Sequence, residues 1–172
     1  MAYRRGIMVT GASGYLGSLI VATLLRHETV RLLTPTRGRA ESVLEPVAAE
    51  LASQGIALDP SHRERLQIVA MPAMEGLNQL SPVMREFGVD EVIHCAACLD
   101  YFNKAALETI NVELTRQMVE LSLDVGVERF IYMSTAFSSG YVGGPVPERL
   151  HEEPERDPTD YTRTKRAAER MM

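Results

Sequence analysis

The chain has 172 residues, enough for one domain that buries a sizeable hydrophobic core. Its composition is typical of a soluble globular protein, with 45% hydrophobic and 24% charged residues. A net charge of −5 argues against a general binder of nucleic acids or anionic membranes, and no apolar run approaches the roughly 20 residues of a membrane helix.

The first residues carry no sign of a targeting segment. Arg4 and Arg5 lead directly into the apolar run Ile7–Val9. That run is too short for the core of a signal peptide, and no cleavage site follows it. We therefore expect a cytoplasmic protein.

Strand-like and helix-like segments alternate along the chain. The strands are predicted at Gly6–Thr10, Thr29–Leu33, Leu66–Ala70, Glu91–Cys95 and Arg129–Ser134. The helices are predicted at Tyr15–His27, Arg39–Ser53, Leu77–Phe87 and Lys104–Val125, with another beginning near Thr159. Several strands are near-continuous apolar runs, as in a parallel sheet covered on both faces. With right-handed crossovers, this pattern predicts an α/β, doubly wound, three-layer Rossmann fold with strand order 3-2-1-4-5 across residues 1–172.

Three features interrupt this alternation. Pro46 predicts a kink or boundary in the second helix. Residues 56–65 resemble a polar connector. Residues 138–160 form the longest irregular stretch, and loops of this length in compact domains are usually functional or mobile.

A glycine-rich turn follows the first predicted strand and opens the first predicted helix. Its glycines suit a tight turn (Gly11), a close approach of the backbone to phosphate (Gly14) and packing of helix against strand (Gly17). The alternative is an ordinary strand-to-helix turn. The spacing predicts a pyrophosphate-binding site, whose candidate residues are Thr10, Gly11, Ser13, Gly14, Tyr15, Leu16 and Gly17.

The end of the second predicted strand indicates which dinucleotide is preferred. Sites that prefer NAD place an acidic residue there, whereas this chain has Arg37 and Arg39 and no acid before Glu41. A guanidinium suits a 2′-phosphate through its charge and its fork of donors. The pattern favours NADP(H) over NAD(H), although both arginines could simply cover the surface.

The two cysteines, Cys95 and Cys98, form a C-x-x-C pattern beside His94. A redox or zinc site is conceivable, but no second cysteine pair is present to complete a structural zinc site. We expect reduced thiols in the core and the turn, and no bound metal.

A tyrosine and a lysine near the end of the chain lie one helical turn apart. Tyr161 and Lys165 have the i,i+4 spacing that places two side chains on the same helix face. Lys104 and Lys165 are the only lysines, and the chain otherwise uses arginine for positive charge. A chance pair on an exposed helix is the alternative to a functional pair.

These motifs, taken in chain order, resemble the extended short-chain dehydrogenase/reductases. Within that superfamily, Ser134–Phe137 followed by Gly140 and Pro145–Glu148 is most similar to the thioester-reductase and fatty-acyl-reductase branch. Nucleotide-sugar epimerases are similar over the first half. The motifs that carry the resemblance are T-G-x-x-G-x-x-G, His94-x-Ala96-Ala97, Asn111-Val112, Tyr132-Met133-Ser134-Thr135 and Tyr161-x-x-x-Lys165.

The resemblance implies a role for each candidate catalytic side chain. Tyr161 would protonate a carbonyl oxygen as hydride arrives, and Lys165 would stabilise its phenolate and hold the nicotinamide ribose. Thr135 would donate to the same substrate oxygen, with Ser134 as the alternative hydroxyl. Asn111 corresponds to an asparagine that supports a proton relay in related enzymes, or is a solvated or capping side chain.

The chain also departs from the family pattern. Related enzymes carry Gly-Asp after the third strand to bind the adenine amino group, where this chain has Ala70-Met71-Pro72, and Leu114 replaces a usual glycine. Adenine recognition is therefore expected to be weaker or to be made by the backbone near Met71, with Ala96 and Ala97 as further cofactor contacts. Family members continue well beyond this length, so we expect the final strands and a substrate-binding lobe to be missing. The 172-residue chain alone is therefore expected to bind NADPH but to reduce acyl thioesters poorly.

The sequence thus predicts an NADP-dependent reductase that transfers hydride to an acyl thioester or an aldehyde-level carbonyl. A nucleotide-sugar epimerase or dehydratase is the alternative enzyme, and a dinucleotide-binding module without catalysis is the alternative from another class. The expected partner is a small-molecule or carrier-bound acyl substrate. In many related enzymes the helix Lys104–Val125 and the helix of Tyr161 form a dimer contact. The second helix is cut short here, so a weak homodimer or a monomer is expected.

Overall fold

A computed structural model describes residues 5–151, 154 and 156–172. It contains a five-stranded sheet ordered β3-β2-β1-β4-β5, which confirms the predicted fold class and strand order. Strand β1 pairs in parallel with β2 and β4, and β2 pairs in parallel with β3. The strands are β1 (Arg5–Thr10), β2 (Val30–Thr36), β3 (Leu66–Ala70), β4 (Glu91–His94) and β5 (Arg129–Tyr132).

Seven α-helices connect and follow these strands in the described residues. They are α1 (Tyr15–Leu25), α2 (Glu41–Ser53), α3 (Pro60–Arg65), α4 (Leu80–Phe87), α5 (Lys104–Leu107), α6 (Leu114–Val125) and α7 (Asp160–Glu169). A 3₁₀ segment, Met74–Gln79, precedes α4, and a π-helical segment, Glu108–Glu113, separates α5 from α6. None of these helices is long and apolar enough to cross a bilayer.

The chain divides into two compact units. The first comprises Met1–Ala96 and Leu121–Ile131, and the second comprises Ala97–Glu120 and Tyr132–Met172. The first unit holds helices α1 to α4 and nearly all of the sheet, together with the glycine-rich turn. The second unit holds α5, the π-helical segment and α7, together with the tyrosine and lysine one turn apart.

Apolar side chains on both faces of the sheet stabilise the first unit. On one face, Ile7 and Val9 pack in a buried cluster with Val21 of α1 and Val43 of α2. Met8 lies between them on β1 and is fully buried. Because successive side chains of a strand point to opposite faces, the sheet is covered on both sides, as the near-continuous apolar runs predicted.

Helix α3 corrects the prediction of a polar connector over residues 56–65. The Asp59 carboxylate accepts a hydrogen bond from the His62 amide at 3.0 Å, and the Asp59 amide donates to His62 Nδ1 at 3.3 Å. Pro60 occupies the first helical position, where its missing amide hydrogen costs nothing. Asp59 and Pro60 therefore start a helix within the segment that was predicted to be a polar connector.

The expected boundary at Pro46 is also absent, because α2 continues through it. Pro46 removes one amide donor, but the buried side chains of Val43, Val47 and Leu51 hold the helix against the core on both sides of it. Packing therefore outweighs the local cost of proline.

The predicted helix Lys104–Val125 is interrupted. Residues Glu108–Glu113 widen into the π-helical segment, and the hydroxyl of Thr115 donates to the carbonyl of Asn111 at 2.9 Å. Other boundaries moved by a few residues, since β2 extends to Thr36, β5 ends at Tyr132 and the helix predicted from Leu77 begins as a 3₁₀ segment.

Candidate active site

Two glycines of the glycine-rich turn are required by close backbone contacts. Gly11 has a φ of +72°, and a Cβ built there would lie 2.7 Å from the amide nitrogen of Ala96. A Cβ at Gly17 would lie 2.2 Å from the carbonyl oxygen of Gly11. Real Cβ atoms do not approach so closely, so the turn and the first turn of α1 pack together only with glycine at both positions.

The N-terminus of α1 offers amide hydrogens to an anion. Gly14 is the N-cap, no side chain caps the helix, and its first turn contains no acidic residue. Ser13, Gly14, Tyr15 and Leu16 are all exposed. Free amides at a helix N-terminus attract phosphate through hydrogen bonds and the helix dipole. This end of the first unit therefore fits the pyrophosphate of a dinucleotide.

A buried hydrogen-bond network supports this turn from inside the first unit. The hydroxyl of Thr10 lies 2.8 Å from Nδ1 of His94 and accepts the amide of Ala96 at 3.2 Å. Both Thr10 and His94 are at most 1% exposed. The Thr10 side chain, predicted to bind the cofactor, is therefore placed to hold the turn in shape.

Arg37 and Arg39 follow the end of β2 and are exposed. In the described part of the chain neither guanidinium has an ion-pair partner, so both are available to an external anion. The amide of Met71 donates to the carbonyl of Thr36 at 2.8 Å, which ties the segment after β3 to the same end of β2. The residues predicted to contact the adenosine half therefore lie beside one strand end.

Replacing Arg37 with alanine should weaken NADPH binding while leaving NADH binding nearly unchanged. One charge-assisted hydrogen bond contributes about 1.5–3 kcal/mol, so a loss of roughly tenfold or more is expected. Titration calorimetry with both cofactors measures this, and Arg63→Ala, another exposed arginine of the first unit, is the matched control. An unchanged ratio of NADPH to NADH affinity in Arg37→Ala would contradict the assignment.

Cys95 and Cys98 are not joined in a disulfide, and both are partly buried. The backbone of Cys98 is held by Asn111, whose Oδ1 accepts the Cys98 amide at 2.7 Å. Among the residues that the structure describes, no group of three or more His, Cys, Asp or Glu side chains could hold a metal ion. The absence of a bound metal remains a prediction.

In the second unit, α7 begins with a capping box that fixes its start. The Thr159 hydroxyl accepts the Thr162 amide at 3.2 Å, and the Thr162 hydroxyl accepts the Thr159 amide at 3.3 Å. These reciprocal bonds satisfy amides that the helix itself cannot pair. Tyr161 and Lys165 then follow on a defined helical turn.

Lys165 is buried, with 2% of its surface exposed. Its ammonium donates to the carbonyl of Met133 at 2.5 Å and lies 4.1 Å from the centre of the Tyr132 ring. An ammonium held by a carbonyl and an aromatic face in a buried position is unlike a surface lysine, which keeps its charge in water. The alternative of a chance pair on an exposed helix therefore does not fit Lys165.

Tyr161 is half-buried on α7, and its ring centre lies 5.2 Å from that of Tyr101. Burial, and to a lesser extent the neighbouring Tyr101, raises the pKa of Tyr161 above its ordinary value. The phenol therefore keeps its proton at neutral pH, as a proton donor must, but the raised pKa by itself makes it a weaker acid than an ordinary tyrosine. Tyr101 has no signature in the sequence spacing and was missed by the sequence analysis.

Two hydroxyls follow β5 in the same unit. The Oγ atom of Ser134 is buried and has no hydrogen-bond partner in the described chain. The Oγ1 atom of Thr135 accepts the amide of Phe137 at 3.3 Å, which leaves its own proton to donate. Both hydroxyls retain the capacity to bond a substrate oxygen.

Asn111 lies in the π-helical segment and is 1% exposed. Its side chain accepts from the amide of Cys98 and donates to the Cys98 carbonyl at 3.2 Å and to the Thr164 hydroxyl at 3.1 Å. These bonds connect the segment after β4 to α7, so Asn111 is neither solvated nor a helix cap. Its part in a proton relay remains a prediction.

Arg166, which the sequence analysis missed, ties the long irregular stretch to α7. Its guanidinium donates to both carboxylate oxygens of Asp157 and to the carbonyl of Ser138 at 3.0 Å. Arg166 is 3% exposed and the Asp157 side chain 18% exposed, so the pair is largely out of water. An arginine next to the tyrosine–lysine motif resembles ordinary surface charge in sequence, which is why its role was not visible.

Asp157→Ala should destabilise the protein, because it leaves the buried Arg166 guanidinium without a counter-charge. Removing one partner of a buried ion pair costs about 3–5 kcal/mol. The matched control is Glu120→Ala, which breaks the exposed Arg116–Glu120 pair and should cost less than about 1 kcal/mol. Denaturant unfolding of both variants checks this, and equal losses of unfolding free energy would contradict it.

Comparison with known proteins identifies a family for the chain. The model of the family described as NAD dependent epimerase/dehydratase matches residues 7–172. Peramine synthetase ppzA of Metarhizium majus is 28% identical over 96% of the chain, which covers 6% of that protein. A Drosophila melanogaster protein named as a candidate fatty acyl-CoA reductase is 33% identical over 88% of the chain, which covers 32% of that protein.

Solved structures share the fold. The terminal R domain of the myxalamid PKS-NRPS biosynthetic pathway has a TM-score of 0.75 at 21% identity, covering 97% of this chain and 44% of that one. UDP-glucuronic acid 4-epimerase from Bacillus cereus, solved with NAD, has a TM-score of 0.73 at 21% identity, covering 96% and 50%. At these identities the likeness shows the fold alone. The chain spans half or less of each of these proteins.

Proposed function

Because the chain belongs to the NAD-dependent epimerase/dehydratase family, we propose that it is an NADP-dependent oxidoreductase that reduces an acyl thioester or an aldehyde-level carbonyl. The observation that carries this proposal is the buried Lys165 ammonium, bonded to Met133 one helical turn from the protonated phenol of Tyr161. Lys165 follows Tyr161 by four residues on α7, so the two side chains share a helix face, and a phenol with a nearby ammonium suits acid catalysis.

The cofactor would be held by residues that the geometry has already picked out. The exposed amides at the N-terminus of α1 bind the pyrophosphate, and Arg37 with Arg39 binds the 2′-phosphate. The backbone near Met71 contacts the adenine, and Ala96 and Ala97 line the cofactor. When bound, the nicotinamide supplies hydride to the carbonyl carbon.

The side chains of the second unit act on the carbonyl oxygen. Thr135 donates a hydrogen bond that polarises the carbonyl, and Ser134 is the alternative donor. Tyr161 then gives its proton to that oxygen as negative charge develops there. An aldehyde is thereby converted to an alcohol, whereas a thioester gives a hemithioacetal whose C–S bond breaks to release the aldehyde and the thiol. Lys165 stabilises the resulting phenolate and contacts the nicotinamide ribose, while Asn111 keeps the segment after β4 attached to α7.

A nucleotide-sugar epimerase or dehydratase is the second candidate, supported by the description of the family and by the shared fold of a UDP-sugar epimerase. An epimerase returns hydride to its own substrate, so it consumes no cofactor in net turnover. A reductase oxidises one NADPH for each carbonyl reduced. Following NADPH absorbance with acyl-coenzyme A, aldehyde and UDP-glucose in parallel separates the two. If NADPH is consumed neither with acyl-coenzyme A nor with the aldehyde, the reductase assignment is contradicted.

A binding module without catalysis would hold NADPH and transfer hydride to nothing. The presence of Tyr161 together with Lys165 argues against it, because a module that only binds the dinucleotide has no use for a phenol that gives a proton. We also propose a small-molecule or carrier-bound acyl substrate. A weak homodimer through α5, α6 and α7 remains a prediction.

A further inference from the structure

The turn between Leu99 and Phe102 presents three apolar side chains to solvent; we refer to it as the aromatic turn. Leu99 is 63% exposed, Tyr101 51% and Phe102 100%. Phe102 therefore gains nothing from folding, since its whole side chain remains in water. Exposed apolar patches bordered by polar groups mark binding surfaces for apolar partners.

The aromatic turn is held in a fixed shape by its own polar residues. The Asp100 carboxylate accepts the amide of Phe102 at 3.1 Å, and the Asp100 carbonyl accepts the amide of Asn103 at 3.1 Å. The Asn103 side chain then caps α5 by accepting the amide of Ala106 at 3.0 Å. The outward position of Phe102 is thus built into the turn.

The turn directly adjoins the candidate proton donor. The ring of Tyr101 lies against the ring of Tyr161, so a molecule on the turn is in contact with a neighbour of the phenol. The residues that follow the turn are charged rather than apolar. Lys104 pairs with Asp160 at 3.5 Å, and Arg163 pairs with Glu108. Charged pairs therefore flank an apolar surface.

A second exposed aromatic residue accompanies the other candidate donor. Phe137 is 66% exposed, and its amide donates to the hydroxyl of Thr135. Of the groups proposed to bond the carbonyl oxygen, Tyr161 contacts the exposed ring of Tyr101, and Thr135 accepts the amide of the exposed Phe137. A nucleotide-sugar substrate, rich in hydroxyls and phosphates, would find few partners on such side chains.

We propose that the aromatic turn binds the acyl chain of the substrate, so that the protein selects thioesters or aldehydes with long apolar chains. This inference rests on the proposed function and specifies its substrate class. Methylene groups of the acyl chain that contact Leu99, Tyr101 and Phe102 are removed from water, and so are the side chains that they cover. Each contacting methylene should tighten binding by roughly threefold to fourfold.

The test measures binding without requiring turnover. Acetyl-, hexanoyl- and decanoyl-coenzyme A are titrated calorimetrically into the 172-residue chain saturated with NADP⁺, whose oxidised nicotinamide cannot reduce them. We expect Kd to fall at least about tenfold from acetyl to decanoyl in the unaltered protein. Phe102→Ala and Leu99→Ala should flatten this dependence and leave acetyl-coenzyme A binding unchanged.

Leu123→Ala is the matched control for Leu99→Ala, because Leu123 of α6 is 76% exposed and undergoes the same truncation. It should keep the full dependence on chain length. Equal affinity for all three thioesters in the unaltered protein, or the same flattening in Leu123→Ala, would overturn the proposal. A third result would also overturn it: the chain self-associates, Phe102→Ala abolishes that self-association, and acyl-chain length has no effect on binding.

The outcome also separates this inference from the proposed function. Chain-length-dependent binding without NADPH oxidation would support the aromatic turn and contradict the reductase. NADPH oxidation at equal efficiency with acetyl and decanoyl substrates would support the reductase and contradict the aromatic turn.

Discussion

Tyr161→Phe should lower carbonyl reduction by roughly 10²–10⁴-fold while NADPH affinity stays unchanged. Only the transferable proton is removed, and general-acid catalysis contributes a factor of this size. The ring remains, so its contact with Tyr101 and the packing of α7 should persist. Single-turnover oxidation of bound NADPH measures the rate, and calorimetry measures the affinity.

The control is Tyr101→Phe, which removes a hydroxyl from the other ring of the same pair. It should change the rate by only a few-fold, because Tyr101 does not deliver the proton. Lys165→Ala should reduce both turnover and NADPH affinity, since its ammonium serves the phenol and the ribose. Unaltered rates in Tyr161→Phe on every carbonyl that the parent reduces would show that the tyrosine–lysine pair is only a helix contact.

Gly17→Ala should both destabilise the protein and weaken NADPH binding. The added Cβ would lie 2.2 Å from the Gly11 carbonyl oxygen, and this is a backbone atom that cannot move aside alone. Forcing a methyl group into such a contact costs about 3 kcal/mol at the upper end of overpacking. For a domain of this size, Tm should fall by roughly 6–12 °C. Thermal unfolding followed by circular dichroism checks the shift.

Gly14→Ala is the matched control in the same turn. Its Cβ would lie 3.4 Å from the Gly11 carbonyl oxygen, an ordinary contact, and its φ of −90° suits any residue. Stability should hardly change, whereas NADPH should bind about tenfold more weakly because the methyl group keeps the phosphate from the backbone. A Gly14→Ala variant with unaltered NADPH affinity would contradict phosphate binding at this turn.

The first unit was largely predictable because local signals agreed with the fold. The apolar runs around Met8 and Leu32 predict buried parallel strands, and glycine at residues 11 and 17 marks a turn that nothing larger could occupy. Alternation of strands and helices with right-handed crossovers then leaves few strand orders. The strand order 3-2-1-4-5 follows from these constraints.

Features that depend on tertiary partners were not predictable. The helix start at Asp59 uses a reciprocal bond with His62, and histidine is not the usual partner in a capping box. The π-helical segment coincides with Asn111, whose side chain bonds Cys98 and Thr164 rather than solvent. Contacts of that kind cannot be inferred from helical periodicity.

The candidate catalytic side chains were also predictable only where a local pattern identifies them. Spacing identified Tyr161 and Lys165, because two residues four apart on a helix must share a face. It could not identify Tyr101 or Asp157, which meet α7 only through the fold. Long-range neighbours of a motif therefore need the structure, even where the motif itself does not.

Deuterium transfer tests the central claim most directly. The protein is mixed in excess with NADPH deuterated at nicotinamide C4 and a decanoyl-chain aldehyde, and the alcohol product is analysed by mass spectrometry. The reductase predicts one deuterium on the former carbonyl carbon, with the yield at short times falling by about 10²-fold or more in Tyr161→Phe. Alcohol that carries no deuterium would contradict it, and so would bound NADPH that transfers none to either an aldehyde or a thioester in a protein that also carries the expected substrate-binding lobe.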